Sequence, residues 1–302
     1  MAPVRAGASI AVALASAALA LLRPPLPWPF PDRLAVIKEE IATIDNTRPY
    51  DAAEKWAPNG TQAGLHLLNP ARVAFFDERI RAHVGKGPFS VLDMGCGGGL
   101  VSNALANLAG YASIHGVDLS AEALEYATSV ATQSAAARVS AGGEAPEVRF
   151  QKASIYELPF DDASFDVVIM SDVLEHLMDV RRGVREAFRV LRPGGVFLFD
   201  TITRSPASYV VAILGAECVV RIIQRGSHDW RLFLLPGELE LALGEAGFRG
   251  FQYEGFQPSI RALLELTAFS AGLMPAGAMG GGWNIEPPSP LMVSYIGHAV
   301  KA

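Results

Sequence analysis

VLDMGCGGGL, Val91 to Leu100, is the stretch whose reading decides the fold of this 302-residue chain. An apolar run enters an acid, Asp93, and then a loop with glycine at four of five positions, Gly95 to Gly99. Several nucleotide-like cofactors lie against loops of this kind, so spacing has to separate them. A dinucleotide fingerprint requires GxGxxG, with the third glycine at the helix start. Counted from Gly95 that position is Leu100, and counted from Gly97 it is Ser102, so both frames fail. No GKS or GKT follows, which removes the phosphate loop. What remains is an acid with glycines at alternate positions, Asp93, Gly95, Gly97 and Gly99.

Outward from this loop, strand-like and helix-like runs alternate. FSVLDMG, SIHGVDLS, EVRFQKAS, FDVVIMSD and VFLFDTI read as strands. VSNALANLA, AEALEYATSVAT and VRRGVREAFRVL between them read as helices. Strands spaced by helices imply a parallel sheet covered on both faces. Upstream, RLAVIKEEIATID has helical periodicity, and LHLLNPARVAFFDERI reads as an amphipathic helix with Asn69-Pro70 at its start. Downstream, the stretch from Ser205 to Leu235 interrupts the pattern. Helix GELELALGEAGF resumes it, FRGFQYEGF and PLMVSYIGHAV read as two more strands, and MPAGAMGGGWNIEPPSP is loop by composition. The expectation is a doubly wound α/β fold with a seven-stranded, mostly parallel sheet.

Half the residues are hydrophobic and 19% are charged, which supports a sizeable core. The net charge of −6, with no long Lys/Arg run, argues against a nucleic-acid surface. The two cysteines, Cys96 and Cys218, form neither a disulfide framework nor a CxxC metal site, and a reducing compartment fits. From Ala6 to Leu22 the chain carries no charge, Arg5 and Arg23 flank this run, and no acid precedes Asp32. That run falls just short of the ~20 residues of a membrane span and exceeds a signal h-region. The Pro-rich RPPLPWPFP behind it breaks the chain. Residues 1–31 are therefore expected to target or anchor the protein, and 32–302 to form the domain, with 205–235 as an insertion.

The acid and alternate glycines resemble motif I, D/ExGxGxG, of class I S-adenosylmethionine-dependent methyltransferases. Glycines let backbone approach the methionine portion of that cofactor, and Asp93 is placed to hold its ammonium. Asp118 ends the second strand at the sheet's C-terminal edge, where an acid can accept both ribose hydroxyls. The LRPGG turn before the fifth strand is common in methyltransferases. Near the adenine, where many relatives carry an acid, this chain has Lys152-Ala153-Ser154, and Ser154 or backbone groups are left to serve. LNPARV, DVLEHLMD, LGAECVVRII and GSHDWRLFLLPGEL then resemble the UbiG-type O-methyltransferases of ubiquinone biosynthesis. That resemblance places Arg72, Gly95, Asp118 and Ser171 against the cofactor. It implies a polyprenylated, catechol-type phenol or quinol as substrate and a ubiquinone-biosynthesis assembly as partner. The expected location is peripheral on the mitochondrial inner membrane, or on a plastid or other membrane.

A phenol, with a pKa of about 10, must lose or share its proton to attack a sulfonium methyl, which calls for a base or a Lewis-acid metal. Asp172, Glu175 and His176 stand at i, i+3 and i+4, and on a helix they share one face. Two carboxylates and an imidazole suit a divalent cation, Mg²⁺ if oxygens complete the shell; the alternative is a cap and a packed histidine without metal. His228, beside Asp229, is the other candidate base. In SPASYVVAILGAECVVRIIQRG, the polar residues Glu217, Arg221, Gln224 and Arg225 recur at helical spacing in an apolar run. Such a helix suits a membrane surface, a lid over a prenyl chain or plain core packing. The rival functions are methylation of another small or lipid acceptor and a non-catalytic assembly subunit.

Overall fold

The computed structural model describes residues 56–58, 60, 62–219, 223, 226–274, 280, 282–290 and 292–302. The Ala6–Leu22 run, the Pro-rich linker and the Arg33–Asp45 helix lie outside them, as do Arg221, Gln224 and Arg225. Eight strands form one sheet: β1 (Phe89–Met94), β2 (Tyr111–Asp118), β3 (Glu147–Lys152), β4 (Phe165–Ser171), β5 (Leu191–Ile202), β6 (Phe248–Pro258), β7 (Trp283–Glu286) and β8 (Ser294–Lys301). Their order is β3-β2-β1-β4-β5-β8-β6-β7. β1 to β5 pair in parallel, and β8, β6 and β7 join antiparallel. The strand beyond the expected seven is β7, which composition had assigned to a loop. It is a four-residue edge strand, too short to show a period, and the Trp283 ring packs 5.0 Å from Phe256 of β6.

Among the described residues, six α-helices of six or more residues flank the sheet: α1 (Ala63–His83), α2 (Leu100–Leu105), α3 (Ala121–Ser140), α4 (Val180–Val190), α5 (Pro236–Ala246) and α6 (Ile260–Ser270). The two-residue period of the central strands divides their side chains between two cores. Val91, Val167, Ile169 and Leu198 pack on one side with Phe76 and Ile80 of α1 and Leu105 of α2. Leu92, Val168, Met170 and Phe197 pack on the other with Val184 and Ala187 of α4 and Leu239 and Leu243 of α5. Burial on both faces is why these strands read as unbroken apolar runs. Helix starts follow local chemistry: the Ser120 side chain accepts from Ala123 N–H, and Asp179 accepts from Arg182 N–H.

One helix start moves. α1 begins at Ala63 and carries Pro70 inside it, rather than opening at Asn69-Pro70. Leu65 and Leu68 of the added turns pack on the core, and Asn69 Nδ2 donates to the Leu100 carbonyl at 3.0 Å. Burial of these groups outweighs the proline's local cost.

The strand order reverses between β1 and β4, which opens a crevice at their C-terminal ends, where ligands of such sheets bind. Asp93, Asp118 and Ser171 all stand at or next to those ends. From Ser205 to Leu235 the chain leaves the sheet. Ser205 caps a single turn at Pro206–Ser208, and Tyr209–Val219 winds as a π-helix. The Glu217 side chain is buried. Among the described residues, no helix is long and apolar enough to cross a membrane.

Candidate active site

One cavity of about 820 Å³ runs along the crevice, toward the upper end of the ~300–1,000 Å³ typical of ligand pockets. Its polar end is the glycine loop. Gly95 and Gly97 take φ of +77° and +48°, values that side chains other than glycine's rarely adopt. Each is also closely approached: a Cβ on Gly95 would meet Val173 Cγ2 at 2.6 Å, and one on Gly97 would overlap the Trp56 ring. Gly99, at φ +71°, is the residue before α2. The close approach that the glycine spacing implied is thus partly made by the chain itself.

Asp93 is buried and accepts from the Ser102 hydroxyl at 2.6 Å. Burial pushes its carboxyl up to about 6, against the opposing pull of that hydrogen bond. Asp118 is held at both oxygens, Oδ2 accepting from Gly97 N–H and Oδ1 from Ser120 N–H, each at 2.9 Å. Asp118 lines the cavity at the strand end, where a carboxylate can accept a ribose hydroxyl. Ser154 lines the same cavity, its hydroxyl accepting from Tyr156 N–H at 3.3 Å. Ser171 also lines it, but its hydroxyl donates to Asp200 Oδ1 at 2.7 Å, which leaves its backbone for a ligand.

Arg72, on α1, is buried between two acids. Its Nη2 donates to Asp172 and, at 2.6 Å, to Asp200. Burial works against the guanidinium's charge, but the two carboxylates outweigh it and hold the group firmly protonated. Arg72 Nε is buried with no partner among the described residues. An unmet donor of this kind fits a carboxylate such as the one on the methionine part of S-adenosylmethionine.

The expected metal face does not form. Asp172 takes a left-handed φ of +52°, and Leu174–His176 is a single 3₁₀ turn, so the three side chains leave in different directions. Asp172 turns to Arg72; Glu175 is buried and accepts from the Thr201 hydroxyl at 2.7 Å. Burial, and next the Asp172 charge, hold the Glu175 carboxyl well above the ordinary range and favour its protonated form. Among the described residues, no three His, Cys, Asp or Glu side chains come together as a metal shell. With Asp172 paired to Arg72 and the three side chains apart, they do not fit Mg²⁺ as a shared shell.

His176 instead stacks on His228, ring centres 5.3 Å apart and planes 19° apart. His228 Nδ1 lies 2.7 Å from Glu217 Oε1. Glu217 also accepts from His228 N–H at 3.0 Å and from Gly226 N–H at 2.7 Å. The partner of His228 is therefore Glu217, not its neighbour Asp229, whose carboxylate accepts from Arg231 N–H at 3.0 Å. With Nδ1–H donated to a carboxylate, the neutral ring carries its lone pair on Nε2. His228 and His176 both line the cavity. Beyond them its wall turns apolar, with Val210, Val211 and Ile223 from the excursion and Leu263 and Leu266 from α6.

Three residues of this site escaped the sequence reading. Asp200 lies near the C-terminal end of β5, in register with Ser171 at the end of β4, and an acid at that level of the sheet was a usable signal. Glu217 and Trp56 carried no such signal.

Comparison with known proteins agrees with the geometry. A family model described as a methyltransferase domain matches residues 92–199. The ubiquinone biosynthesis O-methyltransferase of Psychrobacter arcticus is 37% identical over 209 residues, 65% of this chain and 77% of that one. The protein of the same name from Ruegeria pomeroyi is 36% identical, over 68% of this chain and 81% of its own length. Among solved structures, geranyl diphosphate C-methyltransferase from Streptomyces coelicolor superposes with a TM-score of 0.56 at 18% identity, covering 90% of this chain and 98% of that one. The Bacillus YcgJ protein gives 0.52 at 20% identity, over 76% and 98%. At such identity these two speak for the fold alone. This chain belongs to the ubiquinone biosynthesis O-methyltransferase family, and it is an S-adenosylmethionine-dependent methyltransferase.

Proposed function

We propose that the protein methylates a phenolic hydroxyl of a polyprenylated, catechol-type ubiquinone precursor, with His228 as the base. The observation that carries this reading is one continuous cavity with the glycine loop at one end, aliphatic walls at the other, and a Glu217-backed histidine between them. Arg72, Asp93 and Asp118 hold S-adenosylmethionine, which supplies the sulfonium methyl. The ring of the substrate lies at His228 and its chain along Val210, Val211 and Leu266.

The reaction then needs one proton moved. A phenol, with a pKa of about 10, is not ionised at neutral pH. The proton therefore passes to His228 Nε2 as the oxygen–carbon bond forms and the sulfur–carbon bond breaks. Glu217 stabilises the imidazolium that results and keeps Nε2 pointed at the substrate, the role a buried acid plays behind a catalytic histidine. No step is assigned to a metal.

The apolar cavity wall also supports a peripheral place on a quinone-bearing membrane, the mitochondrial inner membrane if Ala6–Leu22 targets that organelle, and contact with other ubiquinone-biosynthesis proteins there. The test is a panel of acceptors at matched concentration: catechols with long, short and no prenyl chain, sterols and small phenols. The expected outcome is kcat/KM rising with chain length among catechols. Equal use of unprenylated phenols, or preference for a sterol, would defeat the proposal.

A further inference from the structure

The chain's own indole rests on the glycine loop. Trp56 is buried, and a Cβ on Gly98 would stand 2.5 Å from its Cγ, while one on Gly97 would overlap its six-membered ring. The ring therefore lies flat against two consecutive peptide units, in space that only missing side chains leave open. It lines the same cavity as Asp93, Gly95 and Asp118. Gly97 donates its N–H to Asp118, so the indole also neighbours the acid assigned to the ribose. The segment is fastened to α1 where His66 Nε2 meets the Trp56 carbonyl at 2.9 Å.

The second observation is the indole nitrogen. Nε1 is buried with no hydrogen-bond partner among the described residues. A buried Trp N–H usually finds an acceptor, because leaving it unmet is costly. Trp56 lines the cavity beside the glycine loop, where a ligand rich in acceptors, with ribose hydroxyls, a carboxylate and a purine, would lie.

We propose that Trp56 is a cofactor-contacting residue that closes the solvent side of the glycine loop. Its indole encloses bound S-adenosylmethionine between itself and the strand ends bearing Asp93 and Asp118, and Nε1–H donates to an oxygen of the cofactor. Release of cofactor then requires Trp56 to move, so this residue governs the dissociation rate more than the association rate. The proposal rests on the cofactor lying against this loop.

Four tryptophans are present, Trp28, Trp56, Trp230 and Trp283, so intrinsic fluorescence during cofactor titration reports on the residue once Trp56→Phe assigns the signal. Phe keeps a ring and removes the N–H; Trp56→Ala removes both and keeps the backbone. The full chain is titrated by calorimetry, and stopped-flow gives the rates. We expect a saturable fluorescence change in the wild type that disappears in Trp56→Phe. Cofactor should leave Trp56→Phe about threefold faster, as for one neutral hydrogen bond lost, and leave Trp56→Ala faster still, with association within twofold of wild type. Where Trp56→Ala fails to fold, Trp56→Phe alone decides. A full fluorescence change in Trp56→Phe together with wild-type dissociation would overturn the assignment of Trp56 only. A wild-type chain that binds no S-adenosylmethionine would overturn the cofactor reading with it.

Discussion

Replacing Glu217 by Gln removes one charge from a side chain that accepts three hydrogen bonds. Oε1 takes His228 Nδ1–H at 2.7 Å and His228 N–H at 3.0 Å, and Oε2 takes Gly226 N–H at 2.7 Å. Gln keeps one carbonyl oxygen, enough for the two bonds from His228, but turns its amide donor toward the Gly226 donor. More important for catalysis, the imidazolium formed during methyl transfer loses its counter-charge. A hydrogen bond to a charged group contributes about 1.5–3 kcal/mol, so the transition state should lose that much, a fall in kcat of roughly 10- to 150-fold. The assay is single-turnover methyl transfer to a short-chain prenylated catechol with cofactor bound in advance. Cofactor Kd should stay at the wild-type value, because Glu217 touches neither the glycine loop nor Arg72. His228→Ala should lower kcat by about 10²- to 10⁴-fold, and the double variant should fall no further than His228→Ala alone, since the two residues act as one unit. Wild-type turnover in Glu217→Gln, or losses that multiply in the double variant, would refute this account of the base.

Three further outcomes are expected. Asp118→Ala should weaken S-adenosylmethionine binding by about 1.5–3 kcal/mol in calorimetry with the fold retained; unchanged affinity would remove Asp118 from the ribose. Burial lifts Asp93 from 3.8 to about 6, so the carboxylate we propose for the cofactor's ammonium is present above about 6 and lost as pH falls through it. Affinity should drop by up to roughly tenfold per unit below that point, and Asp93→Asn should bind weakly and without this pH dependence. The stability effect of the same shift has the opposite sign: the contribution is full below 3.8 and lost as pH rises through about 6. Finally, Arg72→Met strands Asp172 and Asp200 and should cost about 3–5 kcal/mol in urea unfolding, less at acidic pH where Asp200, raised by burial to about 7, is protonated; an unchanged midpoint would mean that this buried ion pair is not stabilising.

The parts of this molecule that were legible in its sequence are those fixed by local geometry. The acid and alternate glycines carry their own signal, because Gly95 and Gly97 need positive φ and Asp93 closes a strand. Asp118 is found by the same strand-end logic. The Arg72–Asp200 pair spans 128 residues and is set by the packing of α1 on β5, which no local window contains. The Asp172, Glu175 and His176 spacing matched a helix face, yet the left-handed Asp172 and the tight turn behind it point the three apart. Glu217 was read only as one of several polar residues at helical spacing, whereas the residues follow a π-helix and Glu217 accepts from the backbone at Gly226 and His228. In each of these failures the spacing was read correctly but the backbone it was read on was different.

The most direct test of the central claim is mass spectrometry of quinone intermediates in cells that lack this protein. The account predicts accumulation of a polyprenylated intermediate with a free phenolic hydroxyl, lighter than its O-methylated product by one CH2. Its O-methyl ether should return with the wild-type chain and stay absent with His228→Ala expressed at equal level. An unchanged quinone profile in the deletion, or full restoration by His228→Ala, would contradict it.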